Sequence, residues 1–355
     1  MTLLLSIALY LLTSVKSQCG YDEYHEEALE KGVLTQETWD EMEEHFEEEV
    51  EFWDNWDEDT DFFRRIRRLA SDSDLTSRYF NGTLEIPVIV HVLYNPSHTV
   101  NLNDLIQLEQ IQSQIIRLNM DFSSNNIENI PNSAFAALKA NYMMSFKLHK
   151  VIRTQTSKTE LTTHWEAADV KEAIDRNHYL NMYVSILGSN IGIGYAAGPG
   201  YAARSDYINI HYQFFGDPTF LWVMLKGDWK KTIAPIYTGS NIEASGRTAT
   251  HEVGHWLHLE HVWGACNPRK PGDCTCSKDD HVKDTNEQIK PNFGCKHNAP
   301  PSQCGSLDMY QNFMDYSDDN CMALFTKGQL IRSLSILNQV NNDKGRKGLV
   351  DYQSV

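Results

Sequence analysis

Cysteine is nearly missing from the first part of this 355-residue chain: Cys19 alone precedes Cys266. A disulfide framework spanning the whole fold is therefore excluded, and six cysteines crowd one C-terminal stretch, Cys266, Cys274, Cys276, Cys295, Cys304 and Cys321. They can close three disulfides in fifteen ways, which spacing alone does not resolve. Parity leaves Cys19 either a thiol outside those pairs or the partner of one of the six. Basic residues are as scarce elsewhere: residues 18–63 carry nineteen Asp and Glu against Lys31. The whole chain has a formal charge of −17, so the remainder is close to neutral and offers no basic surface for nucleic acid. After Val15 no apolar run is long enough to span a bilayer. Gly192-x-Gly194 has no helical pattern behind it, which excludes a phosphate loop, and no internal repeat is present.

The apolar run Leu3–Val15, closed by small residues, predicts a signal peptide over 1–17 and an exported protein with no membrane anchor. The acidic segment 18–68 carries Trp39, Met42, Phe46, Val50 and Trp53 at helical spacing, with Thr38 and Glu41 as a capping box. It ends in Arg64-Arg65-Ile66-Arg67-Arg68, either a linker pairing with the acidic helix or a site for an activating protease near Arg68. Asn81-Gly82-Thr83 is a glycosylation sequon. Apolar periodicity then predicts a strand over Ile86–Tyr94, a helix over 103–121 and strands near Met144–Thr154, Leu180–Leu187 and Tyr207–Phe214, with a glycine-rich turn at Gly192–Gly200. His91 reads as a packed strand histidine. From Val262 to Asp308 the chain is loop-rich. Asp284 and Thr285, with Asp273, Asp279 and Asp280, suit either a calcium site or a solvated acidic loop. A last helix starts at Thr326, where Thr326 and Gln329 form a capping box, and the tail after Val340 is expected to fray.

The centre of the sequence is His251-Glu252-Val253-Gly254-His255-Trp256-Leu257-His258-Leu259-Glu260-His261. On a helix, residues four apart share a face, so His251 and His255 can grip one metal ion while Glu252 lies beside it, placed to take a proton from water. A continuing helix would carry His261 about 15 Å up the axis. The helix must break after Leu257 for His261 to return as a third ligand, leaving one coordination position open. The break favours a left-handed residue, and the position usually held by glycine carries His258, one of the non-glycine types that tolerate that conformation.

With Asn312-Phe313-Met314-Asp315-Tyr316, Gly246-Arg247-Thr248 and Phe325-Thr326-x-Gly328-Gln329, the chain from about Ile86 to Gln329 resembles the pappalysin family of metzincins, in its short cytophagalysin-like branch. The resemblance implies an α+β metzincin fold: a twisted mixed sheet with a backing helix and a zinc-binding helix, then an irregular disulfide-rich subdomain. The catalytic domain would occupy 69–355, its upper part about 85–261 and its lower part about 262–340, with the cleft between them. It implies a secreted zinc endopeptidase made as a latent precursor. His251, His255 and His261 would hold zinc, Glu252 would be general base and acid, Tyr316 would serve the oxyanion or occupy a fifth metal position at rest, and Met314 would be the Met-turn beneath the metal. Asp284 and Thr285 would lie in a calcium loop. Asp318 or Asp319 would be either a counter-charge for a basic substrate residue or a turn residue. Cys19-Gly20 would be a cysteine switch filling the open metal position. The competing reading is a catalytically silent pseudo-protease, supported by His258 alone.

Overall fold

The computed structural model describes residues 19, 21–31, 34–44, 84–123, 133–218, 244–264, 266, 272–296, 300–338, 345, 346, 348 and 349. The expected signal peptide, the Arg64–Arg68 run and Asn81 lie outside them. Two helices come first, α1 (Tyr21–Glu30) and α2 (residues 36–44). The cap of α2 is Thr35, whose Oγ1 accepts from the Thr38 amide at 3.1 Å, so the helix begins earlier than the Thr38–Glu41 pair predicts.

The long apolar run becomes β1 (Leu84–Tyr94), an interior strand of a mixed sheet. It pairs in parallel with β2 (Met144–Gln155) and β3 (Leu180–Ser185); β5 (Ile208–His211) continues parallel to β3, and β4 (Gly194–Ala196) closes the order β2-β1-β3-β5-β4 as an antiparallel edge. The expected glycine-rich turn therefore contains a strand. Three residues led by glycine carry no alternation, and their extended form is held by pairing with β5. Pro87 is tolerated inside a central strand because β1–β3 pairing starts only at Val88. The sheet with its helices is the expected α+β arrangement.

The helix expected over 103–121 is split into a single turn, Leu102–Leu105, and α3 (Leu108–Phe122), because Ile106 and Gln107 are extended and the Asn101 side chain caps the first turn. Ile111, Leu118 and Phe122 of α3 are buried in the core shared with the sheet. Its polar face is buried too. Arg117 lies 2.5 Å from Asp217, and Asp121 accepts from Arg247 of the next long helix, α4 (Arg247–Trp256), at 3.2 Å and from Thr250 Oγ1 at 2.9 Å. Buried charges of this kind persist only when paired, so the network fixes α4 against α3.

The C-terminal part is stapled by Cys266–Cys274, Cys276–Cys304 and Cys295–Cys321. The capping box forms as expected at α5 (Lys327–Asn338): the Thr326 amide donates to Gln329 Oε1 at 2.9 Å and the Gln329 amide to Thr326 Oγ1 at 3.2 Å. The tail differs from the expectation of fraying. Arg346 is buried, its guanidinium 3.8 Å over the Trp256 ring and its Nη1 2.9 Å from Asp206, while Nε donates to the Trp256 carbonyl at 2.6 Å. Among the described residues no helix is long and apolar enough to cross a membrane.

His91 is a packed strand histidine, stacked on Tyr183 at 4.4 Å with Nε2 2.9 Å from Asn181 Oδ1. Burial pushes its pKa down to about 4, against the Asn181 hydrogen bond and with a small contribution from Lys171. The native state thus keeps His91 neutral where the unfolded chain, near 6.5, takes a proton. Its contribution to stability is full above pH 6.5 and is lost as pH falls toward 4. Melting temperatures measured between pH 7 and pH 4 are expected to fall, and His91→Gln should make that slope shallower; an unchanged slope would contradict the assignment.

Candidate active site and metal centre

Helix α4 starts at Gly246, in the left-handed region at φ 82°, with no side-chain cap of its own. Asp319 supplies one from across the fold, its Oδ2 accepting from the Ser245 amide at 2.7 Å and the Arg247 amide at 3.0 Å. This corrects one expectation: the Asp319 carboxylate is committed to the helix N-terminus, while Asp318 is exposed. At the other end the helix closes in a Schellman motif. The Leu259 amide donates to the Gly254 carbonyl at 3.0 Å and the His258 amide to the His255 carbonyl at 2.9 Å. His258 holds the left-handed position at φ 74°, as the motif demands.

That turn brings His261 back to the helix. The three Nε2 atoms lie 3.1 Å (His251–His255), 3.2 Å (His255–His261) and 3.3 Å (His251–His261) apart, close to the edge of about 3.3 Å in a tetrahedron with bonds of about 2.0–2.1 Å to zinc. His251 Nδ1 donates to the Phe313 carbonyl at 2.6 Å and His255 Nδ1 to the Leu259 carbonyl at 2.7 Å. A carbonyl only accepts, so both rings carry their proton on Nδ1 and turn a lone pair inward from Nε2. Burial, then the neighbouring imidazoles, push His251 down to about 3 and His255 well below its ordinary value, which keeps both in the ligating form. Converging lone pairs repel one another unless a cation sits between them. The donor set fits zinc.

Cys19 Sγ completes the group, its ligand atom within 4.8 Å of the three imidazoles. The thiol lies 3.5 Å from Glu252 Oε2, and its sulfur accepts from the Tyr21 amide at 3.3 Å. Tyr21 stacks on the His255 ring at 3.8 Å and 3°. The Tyr316 hydroxyl donates to the Cys19 carbonyl at 3.3 Å, and its ring edges His261 at 5.1 Å. Glu252 is fully buried beside β4, where a Cβ on Gly194 would stand 2.8 Å from its Oε1.

Met314 lies under the helix. A Cβ built on Gly254 would collide with its Sδ, so this glycine is what allows the turn at Asn312–Tyr316 to approach α4. Gly254→Ala is expected to destabilise the protein by about 1–3 kcal/mol through overpacking, read as a lower denaturant midpoint at unchanged slope; a midpoint within error of wild type would show that Met314 yields.

The candidate calcium residues are engaged otherwise. Asp284 Oδ1 accepts from Thr326 Oγ1 at 2.7 Å and its Oδ2 from the Gly328 amide at 2.9 Å, so it caps α5, and Thr285 Oγ1 lies 2.7 Å from Asp280 Oδ1. Among the described residues, the cluster with metal-ligand spacing is Cys19, His251, His255 and His261. Three structural roles went unread in the sequence. Asp319 and Arg346 act from distant segments at the two ends of α4, and Glu43 of α2 grips Arg332 and His258; none carries a local signal.

The profile of the M43 peptidase family, described as pregnancy-associated plasma protein-A, matches residues 233–338. An extracellular metalloprotease of Verticillium alfalfae is 30% identical over 270 residues, covering 74% of this chain and 78% of that protein. One from Colletotrichum graminicola is 29% identical over 285 residues, covering 77% and 84%. Mature mirolysin of Tannerella forsythia, solved with a cleaved peptide, is similar at 33% identity and a TM-score of 0.61, covering 77% of this chain and 97% of that one. A promirolysin mutant from the same organism is 29% identical with a TM-score of 0.64, covering 95% and 98%.

Proposed function

The chain belongs to the pappalysin family of zinc metalloendopeptidases, and from that premise we propose that it is a secreted endopeptidase made as a latent precursor, with Cys19 as the block and Glu252 as the working base. The observation that carries this reading is the convergence of His251, His255 and His261 on one point with Glu252 and the Cys19 thiol beside it. His251, His255 and His261 would hold zinc there, which would supply Lewis-acid polarisation of a water and of the scissile carbonyl. Glu252 takes the proton of the attacking water and later delivers it to the leaving amine. Tyr316 donates a hydrogen bond to the developing oxyanion. In the precursor its hydroxyl already holds a peptide carbonyl, that of Cys19, while the Cys19 sulfur stands among the ligands. The pro-segment thus occupies both positions a substrate needs. Strand β4, the sheet edge nearest Glu252, offers backbone groups for an extended peptide, the binding mode an endopeptidase requires.

The catalytic body begins before β1, with 18–68 as the pro-segment and an activating protease cutting near Arg68. The silent-protease reading loses its support, because His258 adopts the left-handed turn and the motif is intact. Processed protein should cut members of an unbiased peptide library, lose that activity with a chelator and regain it with zinc. A processed, zinc-loaded protein that cuts nothing sinks the proposal.

A further inference from the structure

Outside the metal centre, α2 sets Glu43 against the body in a geometry the cysteine switch does not use. Glu43 Oε2 accepts from Arg332 Nη1 at 2.9 Å and Oε1 from Nη2 at 2.5 Å, a two-pronged pair, while Oε1 also lies 3.1 Å from His258 Nε2. The side chains of Arg332 and His258 are 0% exposed and that of Glu43 17%, so the pair is withdrawn from water and from salt. Arg332 is itself aimed: its Nε donates to the His258 carbonyl at 2.6 Å and its Nη2 lies 3.5 Å from Glu260. Burial alone would raise the Glu43 carboxyl, yet Arg332 and His258 hold it well below the carboxylate range.

The apolar residues of the same stretch are seated around this pair. Trp39, one turn before Glu43, edges the His258 ring at 5.2 Å and the His25 ring at 4.4 Å. Met42 and Leu34 are buried, both within 3.3 Å of where a Cβ on Gly200 would stand. Gly200, at φ 81°, belongs to the loop behind β4 and leaves room for them. These residues and their partners are separate from the ligand cluster.

We infer that Arg332 and His258 form a carboxylate-binding site on the catalytic body, and that Glu43 in it, with Trp39 alongside, holds the pro-segment in place independently of Cys19. The ligand class is an amphipathic acidic helix carrying an aromatic residue four positions before a glutamate; in the precursor it is residues 36–44 of the chain itself. The inference rests on the reading of 18–68 as an inhibitory pro-segment. It assigns His258 a role beyond the turn: glycine there would keep the backbone and lose a wall of the site. Two locks then act together, so neither the loss of the thiol nor a cut after residue 44 fully frees the cleft by itself.

The test uses the full-length precursor with residues 64–68 cut, the two pieces left together, and gel filtration of the pro-segment away from the body over time. With Cys19→Ser, the wild-type Glu43 should keep the segment bound, and adding Glu43→Gln should speed release on the order of 30-fold or more. Glu43→Asp, which keeps the charge, should fall between them. Equal release from Cys19→Ser and Cys19→Ser/Glu43→Gln overturns the inference. Immediate release from Cys19→Ser alone does the same. Because release is read without any cleavage of substrate, failure of the protease reading would show separately, as a zinc-loaded body that holds its pro-segment and cuts nothing once it is gone. Arg332→Lys tests the body side by the same readout, and its circular dichroism and melting curve establish that the variant folds.

Discussion

Glu252→Gln is expected to lower kcat/KM of the processed enzyme by on the order of 10²–10⁴-fold while leaving zinc content unchanged. The amide has the volume of the carboxylate, so it fits the space that Gly194 and Thr248 leave beside α4. It cannot accept the water's proton. Glu252 is also not one of the clustered ligand residues, which are His251, His255, His261 and Cys19. The loss should therefore fall on kcat with KM nearly constant, the mark of an interaction made in the transition state. Metal analysis by atomic absorption, run beside the kinetics, separates this from loss of the ion. A variant that keeps more than a tenth of wild-type activity would remove Glu252 from the role of base.

Cys19→Ser should turn a silent precursor into one with measurable proteolysis before any cleavage. Thiolate sulfur is a strong ligand for zinc, whereas a serine hydroxyl stays protonated and ligates poorly. The expected gain is on the order of tenfold or more over the wild-type precursor, because the open metal position would lose its thiolate while the segment stays docked. Tyr21 still stacks on His255 and Glu43 still holds Arg332, so activity should stop short of the processed enzyme. Peptide hydrolysis followed together with N-terminal sequencing, which shows the precursor uncut, gives the answer. Unchanged latency would count against the switch.

The first prediction rests on a residue the sequence makes legible, and the reason is local. His251, Glu252, His255 and His261 lie within eleven consecutive positions, and a helix followed by a turn fixes their geometry with little help from the rest of the chain. The strands and α5 are legible for the same reason, each carrying its own periodicity or cap. What could not be read depends on distant partners. Glu43 and Arg332 are 289 positions apart, and Glu43 is one of nineteen acidic residues in a segment whose composition predicts only solvation. Strand β4 is extended because β5 pairs with it, and Arg346 is ordered because Trp256 and Asp206 receive it. His258 was legible as a left-handed residue from its position and silent about its side chain, since the partner belongs to the pro-segment.

The order of the disulfides has a consequence for how the C-terminal part withstands a break in its backbone. Cys276–Cys304 and Cys295–Cys321 interleave, so the intervals they close overlap along the chain, and Cys266–Cys274 closes the stretch just before them. A single nick anywhere from Cys276 to Cys321, or from Cys266 to Cys274, leaves the two sides covalently joined. Between Cys266 and Cys321 only the short link through Thr275 lacks such a bridge. The loop-rich stretch after the metal motif, which has few regular elements to hold it, would therefore stay in one piece after a single cut for as long as its surroundings stay oxidising.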